Sequence, residues 1–408
     1  GHAAADHPEA YVVHAEGHDV VVTASTAHGL WNGTRTLLQL ARREGDSVVL
    51  PAAHIVDSPR FEWRGAMLDV ARHFFGVDHV KRLIELIAAF KLNRLHVHLT
   101  DDQGWRLEIP AYPALTTVGG STSVGGGSGG WYTLEDWAEI CEHGLRHHVT
   151  VVPEVDMPGH TNAALASLPE LNVDGIAPAL YTGKEVGFSS LRLDVPGTVD
   201  FIRTVLTTVA TATPGRYLHI GGDEAHSTHP AQYRQFVELL LDEAARHDVT
   251  MIGWEEIATA PLPPGVMVQH WLRPETALAA SEGTRFIMSP ARHTYLDMRH
   301  APDDPLGRRW AGDIDVDVAY GWDPAGLLPG VDDDHIAGVE APLWTEKVPD
   351  FRAVEHLCFP RLLCLAEVGW SQQASRSWPE FASRLAVHTD RLAARNVNVY
   401  RSRLLVDG

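Results

Sequence analysis

The stretch from Tyr217 to Glu224 ends in two adjacent carboxylates, Asp223 and Glu224. The apolar residues before them predict a buried strand, and Gly221 and Gly222 give the backbone freedom to turn there. Acidic side chains are seldom buried unless they are paired or hydrogen-bonded. Neighbouring strand residues point to opposite faces, so both acids can serve one site only if the strand ends at them. The pattern favours two working carboxylates at a pocket mouth over the alternative, a strand followed by an acidic helix N-terminus.

Two adjacent carboxylates fit one kind of sugar chemistry better than another. Most retaining glycosidases hold two carboxylates about 5–5.5 Å apart across the scissile bond, commonly on different strands. A sugar with an N-acetyl group at C2 can instead use its own carbonyl oxygen to attack C1 and form an oxazolinium ion. The protein then needs one general acid, and a second carboxylate that orients the amide and balances its positive charge. Asp223 and Glu224 fit this division of roles.

The elements that must position these acids follow a repeated strand–helix rhythm after residues 57–60. The clearest helix is Asp78–Leu92, whose apolar residues have helical spacing behind an aspartate. Further helices are predicted over 134–147, 199–212, 231–247, 351–372 and 377–395. Strands are predicted over 64–71, 94–100, 149–157, 217–222, 250–255, 266–271, 286–290 and 335–344. This α/β pattern predicts a TIM-type (β/α)8 barrel. A doubly wound sheet is the alternative, but no Gly-x-Gly-x-x-Gly turn opens a helix.

Polar and aromatic residues gather where the predicted strands end, which is the active-site face of such a barrel. Carboxylates and arginine suit sugar hydroxyls, while indole rings stack on sugar faces. A single tryptophan is more often core packing, but several at strand ends favour a carbohydrate pocket. The long stretch from Ala291 to Gly330 predicts a binding loop that carries Tyr295 and Asp297. The candidates at strand ends are Arg72, Asp101, His160, Asp223, Glu224, Trp254, Trp271, Trp344 and Glu346.

A metal site is the competing interpretation of the second predicted strand. His96 and His98 can share a strand face, and Asp101 and Asp102 follow closely. No cysteine-based ligand pattern accompanies them. We therefore interpret these histidines as interior groups behind the site, and we predict neither a metal nor another cofactor.

Composition narrows the classes of partner. Acidic residues outnumber basic ones 53 to 33, which gives a formal charge of −20. That balance disfavours nucleic acid and anionic membranes and is compatible with a neutral sugar. No apolar run approaches the roughly 18 residues that a membrane span requires. The three cysteines are too few for a disulfide framework.

The first part of the chain has a different pattern. Tyr11–His14 and Val20–Ala24 alternate like strands, and Leu30–Leu40 has helical spacing. Two strands and a helix cannot form an independent core of any size. We therefore predict a small α+β domain over 1–57 that leans on a catalytic barrel over 58–408, with the C-terminal helices included in the barrel domain.

Four motifs, in this order, resemble those of the family 20 β-N-acetylhexosaminidases, especially the bacterial members. They are RGAMLDVAR at 64–72, HLTDDQGWR at 98–106, PEVDMPGH at 153–160 and HIGGDE at 219–224. The resemblance runs from about residue 9 to the end. It implies a (β/α)8 barrel that acts by the substrate-assisted route, a known exception to the two-carboxylate scheme. The N-terminal domain of that family is normally longer, so residues 1–57 are expected to be a truncated form, its latter part.

The resemblance also implies a role for each candidate. Glu224 is expected to be the general acid and then the general base, Asp223 to hold and polarise the acetamido group, and Tyr295 to donate to its carbonyl oxygen. The acetamido pocket is expected to be walled by Trp254, Trp271 and Trp344. The ring hydroxyls of the terminal sugar are expected to bind Arg72, Asp297 and Glu346. The acid is expected to be tuned by Asp101 and His160.

The predicted function is that of an exo-acting, retaining β-N-acetylhexosaminidase that releases terminal β-linked GlcNAc, and also GalNAc, from oligosaccharides or glycoconjugates such as chitin fragments. A disaccharide-releasing relative is the nearest alternative, disfavoured by a pocket that Arg72, Asp297 and Glu346 would close. A non-catalytic sugar-binding protein is disfavoured because every acid is present. We expect a monomer or homodimer, and the resemblance implies a secreted or extracytoplasmic protein although the chain shows no signal peptide.

Overall fold

The computed structural model describes residues 7–280 and 283–405. These residues form a small α+β domain followed by a closed barrel of eight parallel strands, which confirms the predicted fold class. The outer ends of the two predicted domains, 1–6 and 406–408, lie outside the described residues. No helix in the described part combines the length and apolar character needed to cross a bilayer.

The N-terminal domain packs one helix against a three-stranded antiparallel sheet of order β2-β1-β5. Its elements are β1 (Tyr11–Glu16), β2 (Asp19–Ala24), α1 (Ala27–Leu40), β3 (Arg42–Glu44), β4 (Ser47–Val49) and β5 (Ala53–Asp57). Helix α1 begins earlier than predicted because the Thr26 side chain accepts from the N–H of Gly29 and caps it. Strand β5 was not predicted. It is short, and its partner β1 lies about 40 residues earlier in the chain.

A buried ion pair joins this domain to the barrel. Arg64, at the start of the first barrel strand, is fully buried and binds both carboxylate oxygens of Glu9. Asn93 donates to the same carboxylate at 3.0 Å. Burial raises the pKa of Glu9, but Arg64 outweighs it and the net pKa is lowered. The small domain therefore depends on the barrel for part of its polar core, in agreement with its predicted lack of an independent one.

All eight predicted barrel strands are present. Each pairs in parallel with the next along the chain, and the last closes on the first, with Gly338 opposite Trp63. The barrel strands are β6 (Trp63–Asp69), β7 (Arg94–His98), β8 (Thr150–Glu154), β9 (Tyr217–His219), β10 (Thr250–Trp254), β11 (Met267–His270), β12 (Arg285–Met288) and β13 (Ile336–Leu343). A short hairpin of Thr100–Asp101 with Gly104–Trp105 follows β7. All eight carboxyl ends therefore open on one face, where the candidate residues lie.

The outer layer consists of helices, which follow the predictions except at one place. They are α2 (Val77–Ala88), α3 (Leu134–Arg146), α4 (Thr198–Ala212), α5 (Pro230–Ala245), α6 (Phe351–Cys358), α7 (Arg361–Trp370) and α8 (Trp378–Ala394). Shorter helical turns occupy Ala114–Thr117, Asn162–Ser167, Pro274–Ala277, Ala291–Thr294 and Val316–Tyr320. The prediction of one helix over 351–372 was wrong. The chain breaks at Phe359 and Pro360 because proline cannot donate to the helical ladder.

Candidate active site

The two acids reach one cavity because the chain leaves β9 early. The strand ends at His219, and Gly221 and Gly222 then adopt φ of 65° and 96°, in the left-handed region that glycine tolerates. A Cβ on Gly221 would lie 1.9 Å from Asp156 Oδ1, so the close approach also requires glycine. Glu224 itself has φ of 45°, uncommon for a residue with a side chain. The turn thus brings Asp223 and Glu224 to the same site.

The cavity at this face has a volume of about 270 Å³. Eight of the predicted site residues line it: Arg72, Asp223, Glu224, Trp271, Tyr295, Asp297, Trp344 and Glu346. Five further lining residues were not predicted: Lys184, Val186, Leu272, Arg308 and Trp310. The loop that was predicted to bind supplies Arg308 and Trp310. Lys184 and Val186 come from a segment without regular secondary structure, which had no sequence signal of its own.

His160 connects the two acids to a deeper carboxylate. Its Nε2 lies 3.6 Å from Asp223 Oδ2 and 3.6 Å from Glu224 Oε2, and its Nδ1 lies 3.1 Å from Asp101 Oδ1. Burial lowers the pKa of His160, but Asp101, Asp223 and Asp156 outweigh it and raise that pKa well above its usual value. The imidazole is therefore a buried cation behind the acid pair.

The pKa of Glu224 is raised, first by burial of the carboxyl and then by the neighbouring charge of Asp223. His160 and Arg72 oppose this shift without cancelling it. A carboxyl with a raised pKa stays protonated closer to neutral pH and can act as a general acid there. Of the two adjacent carboxylates, Glu224 thus has the electrostatic environment of a proton donor.

Arg72 is held rigidly at the floor of the cavity. Its Nη2 lies 2.8 Å from Asp101 Oδ2, its Nε donates to Gln103 Oε1 at 3.2 Å, and its guanidinium lies 5.0 Å from the Trp344 ring centroid. Asp101 lies behind Arg72 and does not line the cavity. Burial raises the pKa of Asp101, but Arg72 and His160 outweigh it and the net pKa is lowered.

Several buried acceptors of the cavity have no hydrogen-bond partner within the described residues. They are Asp223 Oδ1, both carboxylate oxygens of Asp297, and Glu346 Oε2. Buried polar atoms are nearly always satisfied by protein, water or ligand, so such a group of acceptors indicates a ligand with several O–H or N–H donors. Burial and Glu346 raise the pKa of Asp297 well above its usual value.

Aromatic rings form the other walls of the cavity. Tyr295 stacks on Trp271 with centroids 6.2 Å apart and an interplanar angle of 12°, and Trp344 lies 6.5 Å from Tyr295. Trp310 stands at the rim and is 46% exposed. Trp254 was predicted to wall the pocket, but it is only 1% exposed and lies behind Trp344, at 5.7 Å. Its indole N–H donates to Glu154 at 2.9 Å.

The two histidines of β7 lie inside the barrel, in a column of alternating imidazoles and carboxylates. His98 Nδ1 lies 2.6 Å from Glu154 Oε2, His96 Nε2 lies 2.9 Å from the same oxygen, and His96 Nδ1 lies 2.8 Å from Glu340 Oε1. His98 Nε2 also lies 2.7 Å from Asp101 Oδ2, which connects the column to the site. Burial lowers their pKa values, but the carboxylates outweigh it and raise them to about 9 for His96 and about 10 for His98.

The competing metal set does not converge on one point. Asp102 turns away from the column and accepts from the Ser189 hydroxyl at 2.5 Å and from the N–H of Asn162 at 2.9 Å. His96 and His98 instead share Glu154, and Asp101 binds Arg72. The four side chains are thus engaged by different protein groups, which supports their interpretation as interior groups behind the site.

Two family models match the chain. The model of glycosyl hydrolase family 20, catalytic domain, matches residues 61–235 and 226–373, and that of glycosyl hydrolase family 20, domain 2, matches residues 2–58. Among curated relatives, a β-N-acetylhexosaminidase of Cellulomonas fimi is 43% identical over 385 residues, which cover 93% of this chain and 78% of that protein. A β-hexosaminidase of Porphyromonas gingivalis is 33% identical over 96% of this chain and 54% of its own length.

Solved structures agree with these matches. The GH20 β-N-acetylhexosaminidase from Streptomyces coelicolor A3(2) superposes with a TM-score of 0.94 at 46% identity, over 97% of this chain and 83% of that chain. A mutant β-hexosaminidase of Streptomyces plicatus in complex with the product GlcNAc gives a TM-score of 0.94 at 47% identity, with the same coverage. The resemblance inferred from the four motifs is confirmed, and the chain belongs to glycosyl hydrolase family 20, a family of glycoside hydrolases.

Proposed function

We propose that this glycoside hydrolase is an exo-acting, retaining β-N-acetylhexosaminidase. The observation that carries the proposal is the group of unpartnered buried acceptors, Asp223, Asp297 and Glu346, in a small cavity walled by aromatic rings. A sugar with an acetamido group offers hydroxyl and N–H donors to these acceptors and apolar faces to the rings. The names of the relatives and the GlcNAc complex support the same substrate.

In the proposed mechanism, Glu224 protonates the glycosidic oxygen while the acetamido carbonyl oxygen attacks C1. The C1–O bond of the leaving group breaks and an oxazolinium ion forms. Asp223 accepts the amide N–H and balances the positive charge, and Tyr295 donates its hydroxyl to the carbonyl oxygen. Glu224, now a carboxylate, removes a proton from the water that attacks C1, and the amide is restored. Two inversions at C1 give overall retention.

The remaining side chains would bind and position the terminal sugar. Arg72, Asp297 and Glu346 take its ring hydroxyls, because their polar atoms meet on one side of the same cavity. Trp271 and Trp344 wall the acetamido pocket, and Trp254 supports Trp344 from behind. Asp101 and His160 hold the charges behind the acid. We assign the catalytic role to a domain over 58–408 and a supporting role to 1–57, in a monomer or homodimer.

The proposal is tested with 4-nitrophenyl β-GlcNAc and with chitobiose. We expect release of a single GlcNAc, first as the β-anomer, and binding of a thiazoline mimic of the cyclic intermediate at least about a hundredfold tighter than GlcNAc. Failure to cleave either substrate would disprove the proposed activity. Release of a disaccharide from longer chitin oligomers would support the disaccharide-releasing alternative, and the rate on the matching GalNAc glycoside measures the tolerance at C4.

Replacing His160 by Gln tests the electrostatic part of the mechanism. The His160 cation lowers the pKa of Glu224, so its removal is expected to raise that pKa. The alkaline limb of the kcat/KM profile, where the general acid loses its proton, should move to higher pH by about one unit, and kcat should fall about tenfold or more.

The matched control for this variant is His18→Gln, at an exposed turn of the small domain. It should leave both kcat and the pH profile unchanged. A His160→Gln enzyme whose alkaline limb stays in place, or moves to lower pH, would contradict the assignment of Glu224 as an acid that faces this imidazole.

A further inference from the structure

A second cavity, of about 620 Å³, adjoins the catalytic one. The two cavities share the lining residues Lys184, Arg308, Trp310 and Glu346. The second is also lined by Arg299, Asp304, Arg309 and Lys347. We call it the basic cavity. Because a wall of four residues is common to both, a saccharide bound in the catalytic cavity can extend a substituent or a neighbouring sugar into it.

The charge of the basic cavity is opposite to that of the whole chain. Five cationic side chains and two carboxylates line it, in a protein with a formal charge of −20. Lysine is rare in this protein, which has four lysines in 408 residues, and two of them, Lys184 and Lys347, lie here. Such a concentration of cations beside an acidic active site is not what a neutral sugar requires.

The two carboxylates do not neutralise the cavity, because both are already engaged. Asp304 lies 3.1 Å from His356 Nε2 and accepts from the N–H of Leu306 at 3.0 Å. Glu346 binds Arg308 at 2.5 Å, and Arg299 is paired outside the cavity lining with Asp313.

Three exposed cations therefore remain around the cavity: Lys184, Arg309 and Lys347. None of them has an ion pair or a side-chain hydrogen bond within residues 7–280 and 283–405. Like charges collected in this way repel one another, so an anion that enters the cavity is bound favourably.

We propose that the basic cavity binds an anionic group, a sulfate ester or a carboxylate, carried by the saccharide whose terminal sugar occupies the catalytic cavity. This rests on the proposed function and extends its substrate class to acidic glycans. The catalytic cavity has four carboxylates of its own, at Asp223, Glu224, Asp297 and Glu346. An anionic substrate would be repelled by them, and the neighbouring cations offset that repulsion.

Arg308 and Trp310 connect the two cavities. The Arg308 guanidinium binds Glu346, which faces the terminal sugar, and it also borders the basic cavity, so it can share its donors between that carboxylate and an incoming anion. The exposed Trp310 ring can stack on the sugar that carries the anion. The anionic group can be a substituent of the terminal sugar, beside Glu346, or belong to the next sugar, beyond Trp310.

Paired substrates distinguish the two positions of the anion. The first pair is 4-nitrophenyl β-GlcNAc with and without a sulfate ester on O6, the exocyclic hydroxyl. The second pair is GlcNAc β-linked to glucuronic acid and to glucose. We expect the anionic member of at least one pair to have a kcat/KM about tenfold above its neutral counterpart at low salt. The ratio should fall at high salt, because exposed charges are screened over about 8–10 Å.

The double variant Arg309→Gln/Lys347→Gln tests whether the basic cavity causes that preference. Both residues lie outside the lining of the catalytic cavity. The anionic preference should decrease to near unity, with hydrolysis of the neutral substrates unchanged. Lys81→Gln, which removes a lysine that pairs with Glu139 on the outer helices, is the matched control and should keep the preference.

The proposal is overturned if neither anionic substrate is preferred while the neutral ones are cleaved, or if the preference survives in the double variant. The neutral substrates report separately on the proposed function. If none of the four is cleaved, calorimetric binding of GlcNAc 6-sulfate and of GlcNAc decides the matter. Tighter binding of the sulfate, lost in the double variant, supports the basic cavity, and equal binding overturns it.

Discussion

Glu224→Gln is expected to lower kcat by about 10²–10⁴-fold, because the amide can neither give a proton to the leaving group nor take one from water. The loss should depend on the leaving group. Chitobiose leaves as a sugar alkoxide that needs the proton, whereas 4-nitrophenolate needs it less, so the decrease should be larger for chitobiose. The alkaline limb of the pH profile, set by the raised pKa of Glu224, should disappear in the variant.

The control for Glu224→Gln is Glu185→Gln, the same change at an exposed carboxylate near the site, which should keep the full rate. Thermal unfolding should show that both variants fold as the parent does, because Glu224 makes no side-chain hydrogen bond in the described structure. A Glu224→Gln enzyme that retains the parent rate on chitobiose would remove Glu224 from the mechanism.

The barrel could be predicted from the sequence because each of its strands is a local apolar run. The ends of these runs also carried most of the site, and the glycines before Asp223 predicted the turn that brings the acids together. The break at Pro360 had a local signal as well, and a helix drawn through it was a misreading. Strand β5 had little local signal, because its stability comes from pairing with the distant β1.

The interior of the barrel shows where residue type alone misleads. His96, His98 and Asp101 have the chemistry of metal ligands, and only their partners distinguish the two interpretations. Glu154 and Glu340 come from β8 and β13, far away in sequence, and they pair with these imidazoles inside the barrel. Trp254 is a similar case, since a strand-end tryptophan can face the cavity or support it from behind.

The basic cavity had even less sequence signal. Lys184 lies in an irregular segment, Arg309 in the long loop after β12, and Lys347 just beyond β13. Each is an ordinary exposed cation when it is considered alone. Only the closed barrel brings these three segments to one side of the site, and the chain's strong negative charge makes their convergence noticeable.

Asp223→Asn is expected to lower kcat by about 10²–10³-fold, the usual cost of losing one group that stabilises a developing charge. The amide is nearly isosteric, but it cannot balance the positive charge of an oxazolinium ion. The same change should lower the pKa of Glu224, because the Asp223 charge raises it. The alkaline limb of the pH profile should therefore move to lower pH, opposite to the shift expected for His160→Gln.

Ligand affinities distinguish this role of Asp223 from general damage to the pocket. A thiazoline mimic resembles the cyclic intermediate, so its affinity should fall far more than that of GlcNAc in Asp223→Asn. Asp297→Asn, the same change in the same cavity, should weaken both ligands by similar factors, because Asp297 is assigned to a ring hydroxyl. Equal losses for both ligands in Asp223→Asn, or a rate near that of the parent, would show that the acetamido group does not depend on this carboxylate.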